Sequence, residues 1–242
     1  MFDRHFLRSC LAPPCCELCP RLIQDPPGLC SDCAGLWVEL SPWRCELCAD
    51  PFAGQGLSTH RCGVCLQAPP SFEKVHAAVE FDGGTVGLLH ALKFGGRRSA
   101  LGPLADKGAP HFRAAVEACA PDFLVAMPLG WSRRRQRGFN QSYLLLRALT
   151  REARIEIPVW RGGRRRTREP QARLGRSVRQ RTLAGSFLPL RSGSLAGRRL
   201  LLVDDVLTTG ATADAFSKCL LQAGARSVQV FAFARARRKE LF

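Results

Sequence analysis

RLLLVDDVLTTGATADAF, residues 199–216, decides the fold. Residues 200–203 are an apolar run without alternation, the pattern of a strand buried on both faces. The run delivers two adjacent carboxylates, Asp204 and Asp205, at its C-terminal end. Thr208-Thr209-Gly210-Ala211-Thr212 follows and leads into a helical stretch, residues 211–223, stopped at Gly224. Hydroxyls, a flexible glycine and free backbone N–H groups at a helix start form a cradle for an anion. In an open α/β sheet the ligand sits at that end of the strands. A phosphate fits the cradle, with the acid pair facing hydroxyls of the same ligand or a Mg2+ ion in its outer shell. A polar strand end and a helix cap account for one acid. An adjacent pair followed by T-T-G-A-T goes beyond capping.

The strand–loop–helix rhythm extends to both sides. Residues 227–234 read as the last strand. Upstream, residues 74–81 alternate like a strand, Asp82-Gly83-Gly84 reads as a turn, and residues 86–94 as a short helix closed by Gly95-Gly96. Residues 111–119 read as a second helix, 123–129 as a continuous apolar strand, 130–138 as a basic loop, 140–153 as a helix and 155–160 as a short strand. Apolar strands separated by helices predict an α/β fold, a parallel sheet flanked by helices.

Residues 1–70 are different in kind. Ten of the twelve cysteines lie before residue 66, and eight form four C-x-x-C pairs: Cys16/Cys19, Cys30/Cys33, Cys45/Cys48 and Cys62/Cys65. A C-x-x-C turn places two thiolates on one tetrahedral edge of a zinc ion, and a second turn completes the shell. Disulfides are the rival in an exported chain, and a redox pair is the rival for a single C-x-x-C. Pairing in chain order gives one structural Zn2+ site from Cys16, Cys19, Cys30 and Cys33 and another from Cys45, Cys48, Cys62 and Cys65; interleaved pairing is the alternative. Four thiolates leave no open position for substrate, so such metal supplies folding energy. Cys10, Cys15, Cys119 and Cys219 read as small buried or incidental thiols. The expected organisation is a four-cysteine zinc-ribbon module over residues 1–70 and an α/β domain over residues 71–242.

Thirty-six Lys and Arg against twenty acids give a formal charge of +16, and all but five of the cations are Arg. Such a surface attracts polyanions: nucleic acid, phosphates or acidic partners. No apolar run reaches the roughly 18 residues of a spanning helix, which argues against an integral membrane segment. The N-terminus is a poor secretory signal, so a cytoplasmic location is expected.

Residues 199–216 closely resemble the signature of type I phosphoribosyltransferases, which bind 5-phosphoribosyl-1-pyrophosphate (PRPP). On that resemblance Asp204 and Asp205 are the catalytic acid pair contacting the ribose 2′- and 3′-hydroxyls, and Thr208–Thr212 hold the 5′-phosphate. Val206, Leu207, Thr208, Thr209, Gly210, Ala211 and Thr212 would line the PRPP site. The pyrophosphate loop would follow the strand ending in Pro128 and Leu129. The wider order of four cysteine knuckles, LLHALKFGG, Pro-Leu-x-Trp, Arg-Gly-Phe-Asn-Gln and then the PRPP loop is similar to the ComF family over nearly the whole chain. That family is described as a zinc ribbon fused to a phosphoribosyltransferase domain and is associated with uptake of transforming DNA. The resemblance implies a cytoplasmic phosphoribosyltransferase-type protein using PRPP with Mg2+, working beside other DNA-uptake proteins.

Four basic segments flank this signature. Lys93, at a helix end next to two glycines, can reach a ligand phosphate. Residues 131–141 pack four Arg between two aromatics; Arg137, Gly138, Asn140 and Gln141 are the candidates there, since Arg forks suit pyrophosphate and aromatics suit base stacking. Residues 161–181 hold nine Arg and one acid. Arg164, Arg165, Arg166, Arg168, Arg173, Arg176 and Arg179 are nucleic-acid candidates, in a strip that follows a phosphate backbone or in a loop that closes over the site. Gln171, Leu174 and Arg181 fit the family's pattern. Residues 235–239 read as a basic tail.

If active, the domain would displace pyrophosphate from the ribose anomeric carbon. No residue is an obvious general base. Thr208 stands where the hypoxanthine-guanine salvage enzymes carry Asp, which argues against that substrate class. No separate hood for a nucleobase follows the last strand, so the acceptor would be met by the zinc module or be absent. Two readings result: an enzyme transferring phosphoribosyl to an unknown acceptor, or a non-catalytic protein holding a nucleotide or single-stranded DNA.

Overall fold

A computed structural model of the protein describes residues 15–24, 28–52, 60–165, 187–189 and 192–238. The described strands are β1 (Val75–Glu80), β2 (Phe123–Ala126), β3 (Val159–Trp160), β4 (Gly163–Arg165), β5 (Phe187–Pro189), β6 (Arg199–Leu207) and β7 (Ser227–Arg235). The helices are α1 (Ser31–Ala34), α2 (Gly63–Gln67), α3 (Gly83–Phe94), α4 (Leu101–Cys119), α5 (Trp131–Arg137), α6 (Gln141–Glu152) and α7 (Ala211–Gln222). Five strands form one sheet in the order β1-β7-β6-β2-β3, every pair parallel. β4 and β5 form a separate antiparallel pair.

The apolar run of β6 is explained by period-two packing on a doubly covered sheet. Leu201 and Val203 face one core with Phe231 and Phe233 of β7, under α3, α4 and α6. Leu200 and Leu202 face the other with Val228 and Val230, under α7 and the Phe187 end of β5. The chain leaves β2 toward β3 on one side and β6 toward β7 on the other. The crevice between the C-terminal ends of β2 and β6 is therefore the topological switch point, where open α/β sheets bind ligands.

Several elements differ from the sequence reading. β6 does not stop at Val203 but runs through the acid pair to Leu207, so Asp204 and Asp205 sit within the strand. The strand expected over 155–160 is only Val159–Trp160. The basic segment expected as a loop is the helix α5, ended by Gly138 at φ 76°. α4 begins at Leu101, ten residues before the expected start, and carries Pro110 inside it. Gly108 lies within that helix, and a Cβ there would meet Leu149 Cδ2 at 2.8 Å and Phe233 Cε2 at 3.0 Å; close packing, not a break, requires the glycine. α3 starts at Gly83, whose N–H donates to the Asp82 carboxylate at 2.7 Å, so the expected turn is the start of a helix.

The cysteine-rich segment covers the edge of the sheet. Glu39 bridges Val79 of β1 antiparallel, the Glu80 N–H donates to Val38 O at 2.9 Å, and the Val75 N–H donates to Leu47 O at 2.7 Å. An otherwise unpaired edge strand is closed off in this way. No described helix is long and apolar enough to cross a membrane.

Candidate functional site

A cleft of about 310 Å³ lies at the switch point, at the lower end of the usual range for small-ligand sites. Its walls bring together the residues singled out in the sequence: Lys93 from α3, Pro128 and Leu129 after β2, Arg137 from α5, and Asp204 through Thr212. Gln141 and Arg165, also named in the sequence, line it too, and Arg133 and Ser142 join them. Among the described lining residues four cations face two carboxylates, a formal excess of two positive charges that suits a polyanionic ligand. None of the described lining residues belongs to the cysteine-rich segment.

Each functional side chain is held by a local rule. Gly210, at φ 81°, caps α7 in the left-handed region, which favours glycine. The loop before it thus turns with its N–H groups at a helix start, and the Ala211 N–H donates to Thr209 Oγ1 at 3.3 Å. Asn140 caps α6 by accepting from the N–H groups of Ser142 and Tyr143, and its Nδ2 donates to Met127 O at 3.0 Å. That cap fixes Ser142, whose hydroxyl donates to Asp204 Oδ1 at 2.9 Å. The Asp205 N–H donates to the same oxygen at 2.9 Å. Lys93 Nζ pairs with Asp205 Oδ2. Buried Gln141 leaves its Oε1 without a protein partner.

Burial and like charges set the electrostatics of the cleft. Desolvation pushes the Asp204 carboxyl well above the usual carboxylate range, helped by the Asp205 charge and the bond between the two; the Ser142 hydroxyl pulls weakly the other way. Desolvation also lowers the Arg137 and Arg165 guanidiniums, with the like charge of Arg133 adding to both. Arg137 stacks over the Phe94 ring at 5.0 Å and Arg165 over Phe187 at 5.4 Å, so both forks are held at the cleft.

The nucleic-acid candidates separate. Arg164 and Arg165 lie in β4, and Arg165 lines the cleft. Arg166, Arg168, Arg173, Arg176 and Arg179, with Gln171, Leu174 and Arg181, fall outside the described residues. The expected basic tail is corrected at its start: Arg235 closes β7 and is fully buried. Sequence reasoning also missed Ser142 and Arg133. The Asn140 cap was a usable signal for Ser142, but its reach to Asp204 depends on α6 lying beside β6.

The cysteines gather in two groups, in chain order: Cys16, Cys19, Cys30 and Cys33, then Cys45, Cys48, Cys62 and Cys65, each with its sulfur atoms within 4.8 Å of one another. Interleaved pairing is thereby excluded. A tetrahedral zinc with Zn–S of about 2.3 Å has S···S edges of about 3.8 Å. The Cys19–Cys30 and Cys48–Cys62 sulfurs are 3.7 and 3.8 Å apart, so the residues fit the ion. Backbone N–H groups of Leu18 and Cys30 donate to Cys16 Sγ, and that of Cys62 to Cys45 Sγ. Burial works to raise the Cys16 thiol, but these donors outweigh it and bring it down to about 6. The Cys45 thiol comes down to about 4, chiefly through its bond with Cys48. Burial raises the Cys33 and Cys65 thiols, and the bond with Cys45 raises that of Cys48; the thiolate is the form that binds metal.

No protein-family model matches the chain. Among curated proteins it is similar to the DNA utilization protein YhgH of Escherichia coli, 34% identical over 215 residues, covering 86% of this chain and 90% of that protein. Competence protein F of Haemophilus influenzae is 29% identical over 215 residues, 86% of this chain and 91% of that one. Competence protein ComFC of Bacillus subtilis is 33% identical over 114 residues, 47% and 44% of the two chains. Among solved structures, a purine phosphoribosyltransferase from Pyrococcus horikoshii superposes with a TM-score of 0.33 at 14% identity, over 57% of this chain and 90% of that one, too distant to bear on function.

Proposed function

This chain belongs to the ComF family, and on that premise we propose that its cleft binds PRPP together with Mg2+ and that the protein works in the cytoplasm in the handling of DNA taken up by the cell. One observation carries the reading. A single cleft at the switch point gathers a carboxylate pair, a phosphate cradle at a helix start and four cations. PRPP needs those three parts: acceptors for two ribose hydroxyls, N–H donors for a terminal phosphate, and positive charge for a pyrophosphate.

In this reading Asp204 and Asp205 accept from the ribose hydroxyls. The backbone and hydroxyls of Thr208–Thr212 hold the 5′-phosphate. Lys93, Arg133 and Arg137 meet the pyrophosphate, Lys93 giving up its pairing with Asp205 to do so. The acid pair offers hard oxygen donors of the kind Mg2+ takes beside substrate phosphates, and a bound ion would neutralise pyrophosphate charge. The relatives' names, a DNA utilization protein and two competence proteins, support the cellular setting. The two four-cysteine groups are read as structural zinc sites, and residues 1–70 as the module they fold.

Titration calorimetry of the zinc-loaded protein with PRPP and Mg2+ tests the proposal. Micromolar binding supports it, and no heat from folded protein refutes it. A second reading, a non-catalytic protein that holds single-stranded DNA, is favoured by α5. Exposed Trp131, stacked under Arg135 at 4.5 Å, lies on the same short helix as the exposed Arg133 and Arg134. It is separated by assay. Pyrophosphate release in the presence of an acceptor marks the enzyme, whereas DNA affinity that falls steeply with salt and with Trp131→Ala marks the second reading.

A further inference from the structure

A guanidinium with no access to solvent is rare unless it is paired and bonded on several sides. Arg235, at the end of β7, is such a group. Its Nε donates to Cys48 O at 2.8 Å, the carbonyl of a residue in the second four-cysteine group. Its Nη1 donates to Leu207 O at 3.1 Å and also to Thr208 O, the carbonyls that begin the phosphate loop. Its Nη2 lies 2.8 Å from Asp50 Oδ1. Arg238 repeats the pattern three residues later: its Nη2 donates to Thr209 O at 2.9 Å, and its N–H to Asp50 Oδ1 at 3.2 Å. Three successive carbonyls at the end of β6 and the start of the loop, Leu207, Thr208 and Thr209, are thus held by two guanidiniums, and both pair with one carboxylate, since Arg238 Nε lies 3.5 Å from Asp50 Oδ2. That carboxylate stands two residues beyond Cys48.

We propose that Arg235, Asp50 and Arg238 are positioning residues that couple the second four-cysteine centre to the phosphate loop, so that metal in that centre sets the loop's geometry and hence its hold on an anion. The Cys45–Cys48 knuckle cannot shift without moving Cys48 O and Asp50, and these fix the two guanidiniums. The first centre faces elsewhere: Ser99 Oγ donates to Glu17 Oε2 at 3.0 Å and Arg97 Nη1 to Glu17 O at 3.3 Å, beside the end of α3. The two centres then have different duties. The first supports its own segment and α3. The second also supports the loop. Coupling of this kind is reciprocal, so an anion in the cradle tightens metal in the second centre. The loop's role as an anion cradle rests on the reading of the cleft given above.

Amide hydrogen exchange on the full-length, zinc-loaded chain tests the coupling without any ligand. Arg238→Ala removes the bond to Thr209 O and leaves buried Arg235 in place. We expect amides of Thr208–Thr212 to exchange about tenfold faster, the effect of losing one charge-assisted bond, while those in the centre of β6 and β7 keep their rates. Cys62→Ser should accelerate the same loop, and Cys19→Ser, which disables the first centre, should not. Loop exchange at the wild-type rate in Arg238→Ala overturns the proposal, as does an equal response to the loss of either centre. Pyrophosphate supplies the reverse arm. It should raise the second centre's zinc affinity, read by competition with a chromophoric chelator, in the wild type and not in Arg238→Ala. Failure of pyrophosphate to bind the wild type at all would count against the reading of the cleft, while the exchange comparison would still decide the coupling.

Discussion

Replacing Asp204 by Asn should make the ligand-free protein more stable and weaken the PRPP binding proposed for its cleft. The carboxyl is raised above its unfolded value of 3.8 by desolvation first and by the neighbouring Asp205 second. A carboxyl raised in the folded state binds its proton more tightly there than in the unfolded chain. The stability tied to that proton is present below pH 3.8 and is lost as pH rises through the folded value. Above pH 3.8 the wild type therefore loses stability at this carboxyl, whether by holding a proton that the unfolded chain releases or by burying the charge. An Asn keeps the shape and the two bonds to Oδ1, from the Ser142 hydroxyl and the Asp205 N–H, both 2.9 Å in the wild type. Its amide can also donate to Asp205 at any pH. Relief of a strained functional site is worth about 1–2 kcal/mol. In a chain of this size that corresponds to a rise of about 2–8 °C in Tm. The assay is thermal unfolding of zinc-loaded wild type and Asp204→Asn from pH 5 to 8. The gap should open as pH rises, and the variant's profile should be flatter. Calorimetry should show the loss of PRPP binding. A variant less stable than the wild type at pH 7, or one with an unchanged pH profile, would refute the account of the acid pair.

Lys93→Met should weaken PRPP binding by ten- to a hundredfold, the weight of one charge-assisted contact. It should also lower stability by about 2 kcal/mol, because largely buried Asp205 loses its partner; calorimetry and denaturant unfolding read the two effects. Gly210→Ala faces open space, the nearest atom being Phe72 Cζ at 3.8 Å, so its effect is backbone strain alone at φ 81°. The expected loss is about 1–2 kcal/mol, and a neutral result in chemical denaturation would dispute the loop's conformation. Zinc analysis should return two ions per chain, and cobalt substitution should give tetrahedral thiolate spectra. Cys45→Ser should reduce the count to one. Gly108→Val should lower Tm strongly, because its side chain meets Leu149 and Phe233; a silent substitution would dispute the packing of α4 on α6 and β7.

Much of the site was legible because its signals are local. The acid pair, the T-T-G-A-T cradle and Lys93 at a helix end are short patterns with a chemical meaning, and all of them line one cleft. The elements missed were those where packing overrides propensity. Gly83 reads as part of a turn and Gly108 lies before the helix expected over 111–119, yet both belong to helices, at places where a Cβ would collide with another segment: Leu36 O at 2.5 Å from a Cβ at Gly83, and Leu149 at 2.8 Å from one at Gly108. The charged segment 131–137 lacks an apolar face and so reads as a loop, but it folds as one short helix at the mouth of the cleft.

The sequence by itself determined the parallel α/β class, the loop of residues 208–212 that follows β6 into a helix, and the number of cysteine knuckles, because periodicity and spacing are properties of the chain over a few residues. The tertiary structure alone decided which knuckles share a centre, which cations reach the cleft and what Arg235 does. Those facts depend on which strands lie side by side. The order β1-β7-β6-β2-β3 sets Ser142 against Asp204 and Lys93 against Asp205. With the cysteine segment closing the β1 edge, it also sets Arg235 between Cys48 and Leu207. A buried guanidinium and an exposed one look alike in a basic C-terminal run; only the elements packed around Arg235 make it part of the fold.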